Sequence, residues 1–568
     1  MAAPPPGGQA MTIVRRPFPR ALLIFLSMVL TAGPSFALGT PTLVLDIKPG
    51  SGDGYPQNLL PVGDELYCSA RNFTNGIEPW VSDGTAAGTV LLKDVCAGAC
   101  SGIFDNPSQF PTAIQVGPIV YFVANNGTGA RLWRTDGTDV GTTLVYTGAS
   151  MVGDLEDVGG TVYFLGVPTG FGTAFLFMSD GTGGGTSQVS NLVTVAGELT
   201  NVNGTLFFVG SGGGVGQELW KSDGTLGGTA YVKDLSPESS NSYFQFLTAV
   251  GGMLFCVGTT DLGSGLFRSD GTDPGTFQLK SLTWEPNQFA KGQIVNVNGT
   301  AFLIASDGVS GMELWKSDGT IDGTVLVKDI NPGSADGLAS GSSLVAIGST
   351  VYFAASDGAV GTELWKSDGT AAGTVMVKDI FPGDGIFGSS NPAGLANVNG
   401  KLFFRASSSG PSGTQPWTSD GTEVGTVQVG VMYPGGGNSQ AGNFTKVGNN
   451  IFLTGTDGTS GIELWVIADD VSGVEEVDGV SRPVTLLQNF PNPAGVSTRI
   501  AYSLATGQDV RLDLCDVNGR LVQTLVNQWQ SAGTHRFDMS ASGLADGAYF
   551  YRLTTASGVE RKKMLLIR

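Results

Sequence analysis

The sequence predicts an all-β protein: a single large β-propeller of eight or nine four-stranded blades, followed by an Ig-like β-sandwich. Three observations carry that prediction. The octapeptide ELWKSDGT occurs unchanged at 218–225, 313–320 and 363–370, as the core of a longer repeat. Glycine supplies 87 of 568 residues in a chain that is 41% hydrophobic, the mark of many short strands joined by tight turns. Beyond residue 467 the repeat stops and a different apolar alternation begins.

An aromatic residue at Trp80, Trp133, Phe177, Trp220, Phe267, Trp315, Trp365 and Trp417 stands just ahead of an S/T-D-G-T turn, and Trp465 follows Glu463-Leu464 without one. The spacings run from 43 to 53 residues, a period that means a propeller or a similar array. Residues 344–380 show one unit. LVAIG and VYFAAS (351–356) are strands joined by a turn at 348–350, TELWKS (362–367) is a third strand, and GTVMVKDI (373–380) is a fourth after Asp368-Gly369-Thr370. Asn-Gly or Gly-Gly recurs at the first turn, at Asn203-Gly204, Gly251-Gly252, Asn298-Gly299 and Asn399-Gly400, and supplies the positive φ of a tight hairpin. The ninth unit stops after ELW, whereas TLVLDI (42–47) reads as an isolated fourth strand. Pairing those two ends closes the ring and hides an edge.

In this reading the Leu and Trp of ELW pack against the neighbouring blade, and each DGT aspartate makes a turn. Glu218, Glu313, Glu363 and Glu463 are strand-end surface charges. Interchange of Trp with Phe177 and Phe267 is what packing tolerates, so the tryptophans read as core rather than as sugar platforms. Specific ligand contacts are expected instead in the irregular loops, with Trp284 and Phe244 as candidate ligand-loop residues.

The ends of the chain carry addresses. Arg15, Arg16 and Arg20 precede the apolar run ALLIFLSMVL (21–30), and small residues follow up to Ala37. This predicts a secretion signal over 1–37 with cleavage after Ala37. No later run approaches the ~18 apolar residues of a membrane helix, so the mature chain is expected outside the cytoplasm without a transmembrane span. In that compartment Cys96 and Cys100 are a candidate pair, while Cys68, Cys256 and Cys515 sit in apolar runs as small buried hydrophobes. The net charge of −19 excludes nucleic acid as a partner and argues against an anionic membrane surface.

Chemistry is sparse. The chain has one histidine, His535, near its C-terminus, so a Ser-His-Asp centre in the repeats is excluded. No catalytic residue, cofactor or metal ligand is predicted. Calcium at the DGT turns is the one alternative, and each turn offers a single acid where a calcium loop wants several.

The LYF…ELW…DGT…GT…VKDI pattern over 42–467 resembles the ELWxxDGT-type repeats of bacterial secreted proteins and, more distantly, kelch repeats. After an acidic linker at 468–482, residues 483–568 carry NFPNP (Asn489, Pro491, Asn492, Pro493), DVNGR (Asp516, Asn518, Gly519, Arg520), GAYFYRL (Gly547, Tyr549) and the basic pair Lys562-Lys563. These motifs resemble the FlgD-like Ig domain and the C-terminal sorting domain of type IX secretion substrates. The resemblance implies an export and attachment signal read by outer-membrane secretion machinery. The domain boundaries expected are 1–37, 38–467, 468–482 and 483–568.

The function expected from the sequence is an exported, non-enzymatic binding or adhesion protein, secreted or attached to the outer surface, with an extracellular glycan or protein as ligand. The alternatives are an extracellular carbohydrate-active enzyme using propeller carboxylates and a structural spacer of the extracellular matrix.

Overall fold

Each repeat folds as one antiparallel sheet because four short strands are joined by turns too tight for any other pairing. In the computed structural model the described residues are Met1, 38–469 and 484–566, less 104–111, 170, 238–240, 285–293, 339–341, 384–387, 411–412, 487–488, 490–496, 505, 518–519, 532 and 557. Among them there is no helix.

Residues 42–468 form nine four-stranded sheets, here numbered I to IX. In sheet VII the strands are Val345–Ile347, Thr350–Ala355, Glu363–Ser367 and Val375–Lys378. At the first hairpin of sheet IV, Asn203 and Gly204 have φ of 51° and 87°, the positive pair that a two-residue hairpin turn needs. Sheet IX borrows its fourth strand from the other end of the chain. Thr42–Leu45 pairs antiparallel with Glu463–Ala468, with Leu43 opposite Trp465. The terminal TLVL segment therefore closes the array, as its likeness to a fourth strand predicts.

The first strands of successive sheets touch one another in order from I to IX, and that of IX touches that of I. The arrangement is β-propeller-like. Among the described residues it has no central core. Each hydrophobic cluster instead lies between two neighbours, as with Phe302, Leu314 and Ile330 of sheet VI against Phe353 and Trp365 of sheet VII. The seam between IX and I is built alike, from Phe452 and Leu464 against Leu66 and Trp80. Cys68 and Cys256 are buried in these seams, and Cys96 is bonded to Cys100.

Residues 484–566 form two further sheets around a core of their own. One contains Val484–Leu486, Ser497–Leu504 and Gly533–Ser540, and the other contains Leu521–Gln530, Gln508–Cys515, Gly547–Thr555 and Gly558–Leu566.

The seams generate a prediction. Trp365 is 5% exposed, and its indole N–H has no hydrogen-bond partner among the described residues. Truncation to Ala leaves a cavity and should destabilise the ring by about 3–5 kcal/mol. Trp365→Phe, the residue that sheets III and V use, should lose less than about 1.5 kcal/mol. Urea unfolding of the two variants separates these values.

Candidate functional site

The octapeptide is a hydrogen-bonding cassette in which nearly every residue has a partner. In 363–370, Leu364 and Trp365 enter the seams on either side of the sheet. Lys366 Nζ donates to the Gly421 carbonyl in the turn of the next sheet at 2.8 Å. Lys221 and Lys316 reach Gly271 and Gly369 in the same way, each at 2.7 Å. Ser367 Oγ accepts the Gly369 N–H at 3.0 Å and bonds the Thr374 hydroxyl at 2.7 Å. Asp368 Oδ1 accepts the N–H and the hydroxyl of Thr370 at 2.9 and 2.7 Å. The same two bonds recur at Asp83, Asp136, Asp180, Asp223, Asp270, Asp318 and Asp420. These aspartates thus make turns, the local side-chain-to-backbone closure their type favours. The glycine is obligatory. Gly421 has φ of 86°, and a Cβ there would lie 2.2 Å from the Tyr352 hydroxyl of the preceding sheet.

The leading glutamate is the part that sequence reasoning misplaced. Glu218, Glu313, Glu363 and Glu463 are fully buried rather than surface charges, and so is Glu78 of the IEPW variant. Each carboxylate clasps the connection that leaves its own sheet, or, at the closure, the N-terminal segment. Glu363 accepts Ile380 N and Ser390 N, each at 2.9 Å, and the Ser390 hydroxyl at 2.6 Å. Glu78 accepts Val95 N, Cys96 N and Gly102 N at 2.9, 3.2 and 2.7 Å. Glu463 accepts Ile47 N and Gly54 N at 3.1 and 2.8 Å, joining positions more than 400 residues apart. Opposite the carboxylate stands a small residue, a serine whose hydroxyl donates to it at Ser242 and Ser390 and a glycine in the other copies. A Cβ at Gly54, Gly102 or Gly337 would fall within 2.4 Å of a glutamate oxygen. In sheet VIII Gln415 takes the slot, with Oε1 accepting Met432 N at 2.8 Å and Nε2 donating to the Tyr433 carbonyl at 2.9 Å. The available signal was a charged residue recurring beside Leu-Trp inside an apolar strand.

Burial raises these acids. It pushes Glu78, Glu218, Glu313 and Glu463 up to about 7 from 4.5, against the hydrogen bonds they accept. Closed to solvent and held by backbone N–H and serine hydroxyl donors, they are placed to hold loops rather than to meet a substrate.

The two candidate ligand residues do not share one place. Phe244 lies in the strand Tyr243–Val250, is 4% exposed, and meets Phe267 edge-on at 5.4 Å in the seam between IV and V. Its expected place on a binding loop is corrected to the core. Trp284 is half-buried against the next seam, between V and VI. Among the described residues no three metal-ligating side chains converge. No helix of the described residues is long and apolar enough to cross a membrane.

Among the described motif residues of the C-terminal sheets, Asn489 and Tyr549 serve the core. Asn489 is buried and donates its N–H to Tyr551 Oη at 2.6 Å and its amide to Thr498 Oγ1 at 2.9 Å. This ties the NFPNP segment to the GAYFYRL strand through Tyr551, a residue the sequence did not single out. Arg520 N donates to Asp516 Oδ1 at 2.9 Å across the turn. Gly547 opens its strand at φ 148°, and Tyr549 Oη donates to the Ala545 carbonyl at 2.9 Å. Lys562 and Lys563 are exposed on the last strand. Pro491, Asn492, Pro493, Asn518, Gly519 and Ala37 lie outside the described residues.

Residues 488–567 match the family model described as the secretion system C-terminal sorting domain. The chain therefore carries a type IX sorting domain. Export follows from it, with attachment to the cell surface or secretion. No curated protein matches the chain. Among solved structures it is similar to a puromycin hydrolase, at 15% identity and TM-score 0.34, over 65% of this chain and 61% of the other. It is also similar to a puromycin-hydrolyzing peptidase of Mycobacterium tuberculosis, at 14% identity and TM-score 0.32, over 66% and 61%. Prolyl oligopeptidase B from Galerina marginata aligns at 9% identity and TM-score 0.33, over 72% and 57%. The chain thus spans only 57–61% of the length of these neighbours. These neighbours are named as hydrolases and peptidases, which runs against the expectation of a non-enzymatic binding or adhesion protein. A likeness at this level does not by itself assign their activity to this chain.

Two predictions follow from the clasps. A carboxyl raised in the folded state keeps a proton that the unfolded chain releases above about pH 4.5. Folding stability is therefore full below that pH and is lost as pH rises toward about 7. The Tm should fall between about pH 5 and about pH 7.5 by thermal unfolding, and Glu313→Gln, copying sheet VIII, should flatten that slope. Glu363→Ala leaves the Ile380 and Ser390 N–H groups buried without an acceptor and should lower stability by about 2 kcal/mol or more at pH 5, read by urea unfolding.

Proposed function

We propose that this chain is a cargo of type IX secretion, in which residues 483–568 form an Ig-like export and attachment module and residues 38–467 form a single nine-bladed propeller of ELWxxDGT-type repeats. Residues 1–37 act as the signal for the first membrane crossing, and 468–482 act as the linker. The observation that carries this reading is the sorting-domain match over 488–567. The separate hydrophobic core of 484–566 supports it, since a module read by the export machinery must fold whatever its cargo.

Peptide hydrolysis is the activity to assay first in the ring, because it is what the names of the solved neighbours describe. Residues 38–467 contain no histidine, so a nucleophile there would work without an imidazole base. Release of fluorophore from aminoacyl and prolyl peptide substrates by the purified protein decides this reading, and no turnover removes it.

The export reading is tested in a bacterium with the type IX pathway. Full-length chain should appear at the surface or in the medium, and a chain ending at 482 should accumulate in the periplasm. Equal surface delivery of both would sink it.

A further inference from the structure

The net charge of −19 argues against contact with an anionic surface, yet it does not describe one face of the sorting domain. On the outer side of its four-stranded sheet, Asp513 pairs across the ladder with Arg552, Arg552 with Arg561, and Phe550 with Lys563. Residues directly opposite on adjacent strands share a face. The other side of this sheet is the core, with Leu512, Leu514, Tyr551, Leu553 and Met564.

Asp513 organises the cations. Its carboxylate is 0% exposed and receives Arg511 Nε at 3.0 Å, Arg552 Nη2 at 3.1 Å and the Thr524 hydroxyl at 2.8 Å. The two guanidinium groups are thereby held side by side, while the arginine side chains remain 47% and 44% exposed. Arg561, set over the Phe550 ring at 6.0 Å, and exposed Lys563 continue the row. Trp529, 63% exposed and opposite Asp509, stands at one edge of the same face. The face turns away from the ring, because it is the three-stranded sheet that meets sheet I, through Arg536 and Asp83 at 3.5 Å.

We propose that this face docks on an anionic lipid surface, with Arg511, Arg552, Arg561 and Lys563 meeting headgroup phosphates and Trp529 at the interface. Charge complementarity selects the occupant. Fixed guanidinium forks suit phosphate oxygens, one face of a single sheet carries the four cations together, and an exposed indole beside them suits the boundary between water and lipid. The acidic ring would be held off the same surface by its own charge. The inference concerns the domain that the export reading assigns to secretion, but its test uses purified protein and does not depend on export.

The experiment is flotation of the full chain with vesicles of phosphatidylcholine containing about one third phosphatidylglycerol, against pure phosphatidylcholine. Binding only to the anionic vesicles, abolished by about 0.5 M salt, is expected. Arg561→Gln with Lys563→Gln should weaken it about tenfold or more. Lys562→Gln, on the core side of the same strand, should leave it unchanged. Unaltered Tm in both variants shows that folding is not the cause. Absence of binding, an equal loss with Lys562→Gln, displacement by millimolar inorganic phosphate, or capture by a poly-glutamate peptide in preference to the vesicles would each overturn the proposal.

Discussion

A sheet of four short strands cannot bury both of its own faces, and everything in the ring follows from that. Each hydrophobic cluster between 42 and 468 is shared by two neighbouring sheets. No sheet is therefore stable without the next, and the series ends only by returning to its start. The strand Thr42–Leu45 makes that return by completing sheet IX. Hydrogen bonds repeat the logic, with Lys366 reaching forward to Gly421 as Asn450 of sheet IX reaches Asp83 of sheet I at 3.1 Å. The octapeptide is repeated because each copy performs the same two tasks, closing its own turn and holding the next sheet.

The buried glutamates show how a connection between sheets is kept in place without regular structure. A loop that leaves one sheet for the next carries backbone N–H groups with no ladder to join. A carboxylate from the preceding strand accepts two or three of them at once. Desolvation raises the carboxyl while the donors lower it. The balance leaves the ring with several acids poised near neutrality, none of them open to a substrate. At the closure Glu463 does the same for the N-terminal segment, so one residue type serves both ordinary seams and the joint of the ring.

The sorting domain follows a different rule. Its core is its own, its motif residue Asn489 is locked to Tyr551, and its charge is arranged rather than spread. Net charge and local charge diverge there. One fully buried aspartate holds two arginines on the outer face of a sheet, while the chain as a whole is strongly acidic. Solubility responds to the sum of charges, whereas contact with a surface responds to those within a Debye length of it.

Much of the architecture was legible in sequence. The 43–53-residue period, the Asn-Gly hairpins and the orphan TLVLDI strand are local signals, because turn chemistry and strand alternation act over a few residues. The role of the DGT aspartates was readable for the same reason, their partners lying two residues away. The fate of Glu363 or Glu463 was not, since their partners lie 17 to 416 residues off and only the assembled ring covers them. Phe244 looked like part of an irregular loop, yet it is a strand residue pressed on Phe267. Sequence alone determined the repeat, its turns and the address at its C-terminus, because these reside in contiguous residues. Tertiary structure decided which charges are buried and which faces remain open, because burial is set by neighbours that only folding brings together.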